Sequence, residues 1–422
     1  MIEATGVRTT NRIPPLRIVV GVAVSLLAAL TCMAEDSTEP PGVVFPGGRP
    51  SVEIAAEVFN NVVYLPVAVD GGETLDFALD TGAPELSVVN LTRATAIGLT
   101  TGSALTVRGA DPGRLDVRRL DSAVLSVGGI TAGGLEVVAM PLDGLEPFWG
   151  RPMDGILGGN FLRQVVTCID YDRKRVDFIR PDAFDEAGRG TSLPIEVKDN
   201  TLFVTARITA RDGGPAGEGR FLIDTGVRQS FLNTPFVRRH RILERSGPVI
   251  ETMIGHGIGG PAFGTLGRLG SLTLGPHALT GPVVQLCTGE SGIEASTVFD
   301  GIIGADLLSR FAVCFDYGSG RIHLEPGSGF DRPFDSDAAG LIFRISEDDP
   351  TTFTVVHVVE SFPAAEAGVE RGDVLLALDD RPAAALSLES LKRMLQATGE
   401  HCLQLRRQNA SRNVCFALRP LI

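Results

Sequence analysis

Two acids carry the chemistry this chain offers. Asp80 closes the apolar stretch Leu75-Asp76-Phe77-Ala78-Leu79 and opens Asp80-Thr81-Gly82-Ala83. Asp224 closes Phe221-Leu222-Ile223 and opens Asp224-Thr225-Gly226-Val227, 144 residues further on. One such tripeptide is an ordinary turn signal. Two carboxyls brought to within ~3 Å behave differently, because both cannot ionise and the pair shares one proton. The ionised member accepts a proton from water while its protonated neighbour polarises a carbonyl, which is hydrolysis without a covalent intermediate. Titration then belongs to the pair. Gly82 and Gly226 permit the close backbone approach such turns need, and Thr81 and Thr225 offer hydroxyls to tie them across an axis.

The elements that must position these acids are themselves repeated. Asp154-Gly155-Ile156-Leu157-Gly158 follows the first copy and Asp300-Gly301-Ile302-Ile303-Gly304 the second. Ile169-Asp170-Tyr171 and Phe315-Asp316-Tyr317 come next in each, again in register. Three landmarks in the same order predict an internal duplication. Asp154 and Asp300 precede glycine turns and are expected to make structural hydrogen bonds, and Asp170 and Asp316 read as turn or strand-end residues.

Other chemistries find less support. Gly255-His256-Gly257-Ile258-Gly259-Gly260 fits a dinucleotide fingerprint in form, but Pro261 follows where a helix should start and position 280 is Thr280 rather than an acid. A mobile hairpin with a solvent-facing His256 is expected there. The six histidines show no metal-binding spacing, and no Gly-x-Ser-x-Gly elbow is present. No cofactor and no metal are expected.

Across the whole chain, 44% hydrophobic and 21% charged residues describe a globular protein with room for large cores. Fifty glycines between short apolar runs predict mostly β structure. A net charge of −13 argues against a nucleic-acid partner. Arg8, Arg12 and Arg17 precede an apolar run over residues 18–30, and Cys32-Met33-Ala34 follows with small residues, so residues 1–34 read as an export signal cleaved after Ala34. Lipid attachment at Cys32 and retention as an anchor are alternatives. An exported chain, periplasmic or secreted, is free to form disulfides. Cys402 and Cys415 flank a hairpin and are expected to bond. Cys168 and Cys314 occupy equivalent places on apolar strands and read as buried free thiols. Cys287 has no evident partner.

The expected organisation is a flexible leader over 35–50, a first lobe over 51–181, a linker over 182–194, a second lobe over 195–326, a linker over 327–337 and a third domain over 338–422. The two lobes resemble the retropepsin-like aspartic proteases, with two copies fused in one chain. Asp80-Thr81-Gly82-Ala83 matches that family's signature, while Val227 stands where alanine or serine is usual. Ile156-Leu157-Gly158-Gly159-Asn160 and Ile303-Gly304-Ala305-Asp306 match its element behind the catalytic turn. The resemblance implies a mostly β, bilobal fold with Asp80 and Asp224 as the dyad and Thr81 and Thr225 as the grip between lobes. It also implies substrate-covering hairpins near 105–118 and 252–268. No tyrosine lies in either, unlike the pepsin group.

The last domain resembles a PDZ domain. Gly340-Leu341-Ile342-Phe343 stands in place of the carboxylate-binding loop, and Ala367-Gly368 through Gly372-Asp373 matches the most specific motif of that family. Ser387 can cap a helix from Leu388, with Leu388, Leu391 and Leu395 on one face. The resemblance implies a peptide strand added beside that helix, its terminal carboxylate held by loop amides. Gly340, Leu341, Ile342, Phe343, Leu388 and Leu391 are the candidate peptide-binding residues, with an apolar C-terminal residue expected in the ligand. Together these imply an exported aspartic endopeptidase acting on protein or peptide substrates. A non-catalytic peptide-binding scaffold that keeps the protease fold is the alternative reading, and a site assembled from two chains is a third.

Overall fold

The structure is a computed structural model that describes residues 42–108, 114–120, 123–257, 260–335, 338–346, 349–396, 398–420 and 422. The expected export signal, residues 35–41 of the expected leader and the tips of both hairpins expected to cover the cleft lie outside the described residues. The chain is mostly β. No described helix is long and apolar enough to cross a membrane.

The two copies fold alike because their apolar patterns are alike. In Thr74–Leu79, Leu75, Phe77 and Leu79 are buried while Asp76 is exposed, the alternation of a strand with one solvated face. Gly155–Leu157 runs parallel beside it, with Gly155 opposite Phe77 and Leu157 opposite Leu79, and antiparallel to Ser87–Asn90 on its other side. In the second lobe Gly301–Ile303 lies parallel to Pro215–Ile223, with Gly301 opposite Phe221, and antiparallel to Phe231–Leu232. All three residues of each inserted strand are buried. A short, unbroken apolar run is what a strand covered on both faces requires.

A six-stranded antiparallel sheet joins the lobes in the order Thr191–Pro194, Arg321–Pro326, Phe311–Asp316, Val166–Asp170, Arg175–Ile179, Ser51–Ala55. At its centre Val166–Asp170 of one copy pairs with Phe311–Asp316 of the other, and Cys168 faces Cys314. These cysteines form a disulfide, which corrects their reading as free thiols. The cause is symmetry: a local twofold axis makes equivalent residues of the two copies neighbours. Two boundaries shift for a related reason. Residues 191–194 of the expected linker form an edge strand of this sheet, and Gly42–Val44 of the expected flexible leader pairs with Ile130–Gly133. Backbone pairing, rather than composition, decides both.

The third domain has its own core and a sheet in the order Leu341–Ile345, Phe353–Val358, Val374–Leu378, Gly399–Arg407, Ala410–Leu418. Helix Leu388–Met394 begins with Ser387 and Ser390 in reciprocal capping bonds. Cys402 and Cys415 face each other across the last hairpin and are bonded. This domain is fastened to the lobes: Val359, Phe362 and Ile422 join the protease-lobe core, and the Arg268 guanidinium donates to the carbonyls of Phe334 (3.0 Å) and Ile422 (3.2 Å).

Candidate active site

Each acid sits at the end of its buried strand, and the strand inserted beside it fixes the turn. Asp80 N donates to Leu157 O (3.1 Å) and Gly159 N to Ala83 O (2.7 Å). In the second lobe Asp224 N donates to Ile303 O (3.0 Å) and Ala305 N to Val227 O (2.7 Å). The turns are then locked together across the axis. Thr81 N donates to Thr225 Oγ1 (3.0 Å) and Thr81 Oγ1 to Ile223 O (2.9 Å). Thr225 N donates to Thr81 Oγ1 (3.1 Å) and Thr225 Oγ1 to Leu79 O (2.8 Å). All four bonds are buried, so losing any would strand a polar group away from water at about 1–3 kcal/mol.

This grip brings the carboxyls into contact within one chain. Asp80 Oδ1 accepts from Gly82 N (2.8 Å), and Asp224 Oδ1 from Gly226 N (2.9 Å) and Val227 N (3.0 Å). The two side chains lie close enough that the charge of Asp80 acts on Asp224, so they titrate as a pair. Asp224 Oδ2 is buried without a hydrogen-bond partner among the described residues, and a proton shared with Asp80 would satisfy it. Burial pushes Asp80 up to about 6. Burial, and then the charge of Asp80, raises Asp224 well above the ordinary carboxylate range. Two acids, one retained proton: the arrangement can supply a base and an acid at once.

Behind each turn lies a serine that the motif reading missed. Ser87 Oγ accepts from Gly158 N (3.1 Å) and donates to Asn160 Oδ1 (2.8 Å). Ser230 Oγ accepts from Gly304 N (2.8 Å) and donates to Asp306 Oδ1. A one-residue difference in the following loop, Ala83 to Ser87 against Val227 to Ser230, hides their equivalence in a fixed-offset comparison. Asp154 and Asp300 lie away from the dyad. Asp154 takes Arg93 Nε (2.8 Å) and Asp76 N (3.2 Å), and Asp300 takes Arg239 Nη2 (2.7 Å) and Arg220 N (2.9 Å), which are structural roles. Asp170 and Asp316 accept from Arg173 N and Ser319 N in turns.

Hairpins Thr101–Arg108 with Arg114–Leu120, and Val249–Gly257 with Gly260–Arg268, stand where covering flaps are expected. His256 is not solvent-facing. Its ring stacks on Phe148 (centroids 3.8 Å apart) and its carbonyl accepts from Trp149 Nε1 (3.3 Å). A glycine-rich hairpin gives no sequence sign of what its tip will meet, and here the other lobe supplies the partner.

Residues 65–161 and 204–307 match the aspartyl protease family model, and residues 354–407 match a PDZ domain. The chain carries two retropepsin-like aspartyl protease segments and a C-terminal PDZ domain. No curated protein matches it. Each protease segment contains one acid of the pair, and the matched PDZ region holds helix Leu388–Met394 and the middle strands of the sheet, while the strands Leu341–Ile345 and Ala410–Leu418 lie outside it.

The PDZ surface that would take a peptide strand is covered by the protease lobe. Leu341–Ile345 is the edge strand of its sheet, and helix Glu146–Trp149 packs against it. Gly150, in the left-handed region at φ 86°, approaches so closely that a Cβ there would stand 3.0 Å from Leu388 Cβ. Leu341, Phe343, Leu388 and Leu391 are buried in the domain core. Of the six candidate peptide-binding residues, Leu391 and Phe343 therefore support the groove from behind, and Leu388 faces the lobe.

Proposed function

We propose that the chain is an exported aspartic endopeptidase, with Asp80 and Asp224 activating water and the PDZ domain engaging peptides for delivery or regulation. The meeting of two buried carboxyls over a hydrogen-bonded twofold grip carries this reading. The pair retains one proton, and its protonated member polarises the scissile carbonyl. Its ionised member accepts the proton of the attacking water. Collapse of the tetrahedral diol returns a proton to the leaving nitrogen. The two hairpins, Thr101–Arg108 with Arg114–Leu120 and Val249–Gly257 with Gly260–Arg268, would cover an extended segment in the cleft, which favours internal cleavage. The intact dyad hydrogen bonds favour this over a scaffold that retained only the fold. Two disulfides suit an oxidising compartment and support export. A mature protein found in the cytoplasm with residues 1–34 still attached would overturn that part.

The test is an uncleavable peptide bearing a hydroxyl-substituted carbon at the scissile position. It is expected to inhibit hydrolysis of an unfolded protein competitively, binding at least about a hundredfold more tightly than its amide counterpart. A chelator should leave the rate unchanged. Absence of any hydrolysis by the intact chain counts against the whole assignment.

For the PDZ domain, the covered edge strand implies that an outside peptide must first displace residues 146–150. Gly150→Val adds a branched side chain at a left-handed position against Leu388, so it should loosen that contact. Affinity for an apolar-ended peptide is expected to rise roughly tenfold over the unmodified chain, since a larger share of molecules is binding-competent. Titration calorimetry reads the difference, and equal affinities would mean that the lobe does not compete for the groove.

A further inference from the structure

Between the catalytic turn of the second lobe and the PDZ helix lies a cavity of about 240 Å³. Val227 forms part of its wall, and the Val227 amide is bonded to Asp224 Oδ1, so the cavity opens beside the dyad. Ile254 of the second-lobe flap and the turn residue Asn61 of the first lobe also line it. Two cations enter it. Arg228 follows Val227 directly, and Lys392 comes from helix Leu388–Met394 of the PDZ domain.

Neither cation has a carboxylate partner among the described residues. Arg228 is half-buried with its guanidinium 4.7 Å from the centre of the Trp149 ring, and its Nε has no hydrogen-bond partner. Lys392 is half-buried as well. No acidic residue lines the cavity. Among the acids bonded to its lining residues, Asp224 is engaged by the Gly226 and Val227 amides and Glu294 by Gln285 Nε2 (3.0 Å), and neither pairs with Arg228 or Lys392. In a chain of net charge −13 this is an unusual place to leave two uncompensated positive groups. Burial, and then the charge of Arg228, pushes the Lys392 amine down to about 7, as expected where cations face each other without an anion. Removing charge from water without pairing it costs several kcal/mol, and an incoming carboxylate would offset that cost with charge-assisted bonds.

We propose that this cavity is a substrate subsite for a carboxylate, read jointly by Arg228 of the protease and Lys392 of the PDZ domain. The proposal rests on the endopeptidase reading and names a substrate class for it: peptides with a carboxylate within a few residues of the scissile bond. Arg228 offers a planar fork suited to two-point contact with a carboxylate, and Lys392 a point charge. Because the lysine arrives on another domain, the subsite exists only while the PDZ domain is docked, which makes docking a condition of substrate choice. The carboxylate has two sources, a Glu or Asp side chain or a chain terminus.

The test uses the full chain and matched peptides carrying Glu or Gln at successive positions around one cleavage site, each with a free or amidated terminus. At one position, kcat/KM for Glu over Gln, or for free over amidated terminus, should be roughly 10- to 100-fold. Whichever pair shows the ratio identifies the source. Within the Arg228→Gln/Lys392→Gln protein the same ratio should fall to near one, and in Lys392→Glu a Lys-containing peptide should overtake the Glu peptide. Equal rates for all pairs in the unmodified chain, or a preference that survives the double substitution, would overturn the subsite. Binding of the same peptides to the Asp80→Asn chain measures the ratio as Kd without turnover. A chain that cuts nothing yet still prefers the carboxylate peptide would thus refute the hydrolytic reading and leave the subsite standing.

Discussion

Asp80→Asn and Asp224→Asn each lower kcat/KM for an unfolded protein substrate by at least about a thousandfold, with the fold intact. General acid–base catalysis contributes on the order of 10²–10⁴ for a single group, and either substitution removes the shared proton on which both roles depend. Asn is near-isosteric with Asp and keeps an oxygen for the Gly82 or Gly226 amide, so the turn geometry survives. The pH dependence separates this from a structural effect. Burial raises both acids, Asp80 to about 6 and Asp224 well above the ordinary carboxylate range, so the pair gives up its first proton near 6 and the working, singly protonated form accumulates as pH rises through that value. Activity should climb over that range, because in more acid solution both groups are protonated and no base remains. Stability moves the other way. Both acids hold protons more tightly folded than unfolded, so the pair's stabilisation is fully present below the ordinary value of 3.8 and is lost as pH rises through about 6. In either Asn variant that downward slope should be reduced, as read by thermal unfolding at a series of pH values. Near-normal turnover by either variant would exclude the shared dyad.

Gly82→Ala and Gly226→Ala should each cost about a hundredfold in kcat/KM. A Cβ on Gly226 would stand 2.4 Å from Asp80 Cγ, and one on Gly82 would stand 2.1 Å from Asp224 Oδ2. Non-bonded carbon contacts settle at about 3.5–4.0 Å, so the acid opposite must retreat by an ångström or more. A misplacement of that size in a reacting group costs on the order of 10² in rate. Overpacking adds a stability loss of about 1–3 kcal/mol. Gly144→Ala is the matched control, since a Cβ there meets nothing within 4 Å. It should leave both rate and melting temperature where they are. Equal behaviour of all three alanine variants would mean that the crossed approach of turn and acid is not what aligns the dyad.

The glycine arrangement also shows how reciprocal the site is: each acid lies over the glycine of the other copy's turn. That reciprocity is why a pair of modest tripeptides is informative here. Either alone describes a turn, while two of them followed by matching inserted strands describe one site built twice.

The chain by itself determined the chemistry and the local frame. Acid, hydroxyl and glycine at the end of an apolar strand, the buried Gly-Ile-Leu and Gly-Ile-Ile strands, the capped PDZ helix and the hairpin that pairs Cys402 with Cys415 all follow from patterns within a few residues of one another. Tertiary structure alone decided what meets across long separations. It joined Cys168 to Cys314, seated His256 on Phe148, laid residues 146–150 along the PDZ edge strand and set Arg228 beside Lys392. Periodicity reports which face of an element is buried, but not which other face will cover it. That choice is made when whole domains dock, by shape and symmetry that no short stretch of sequence encodes.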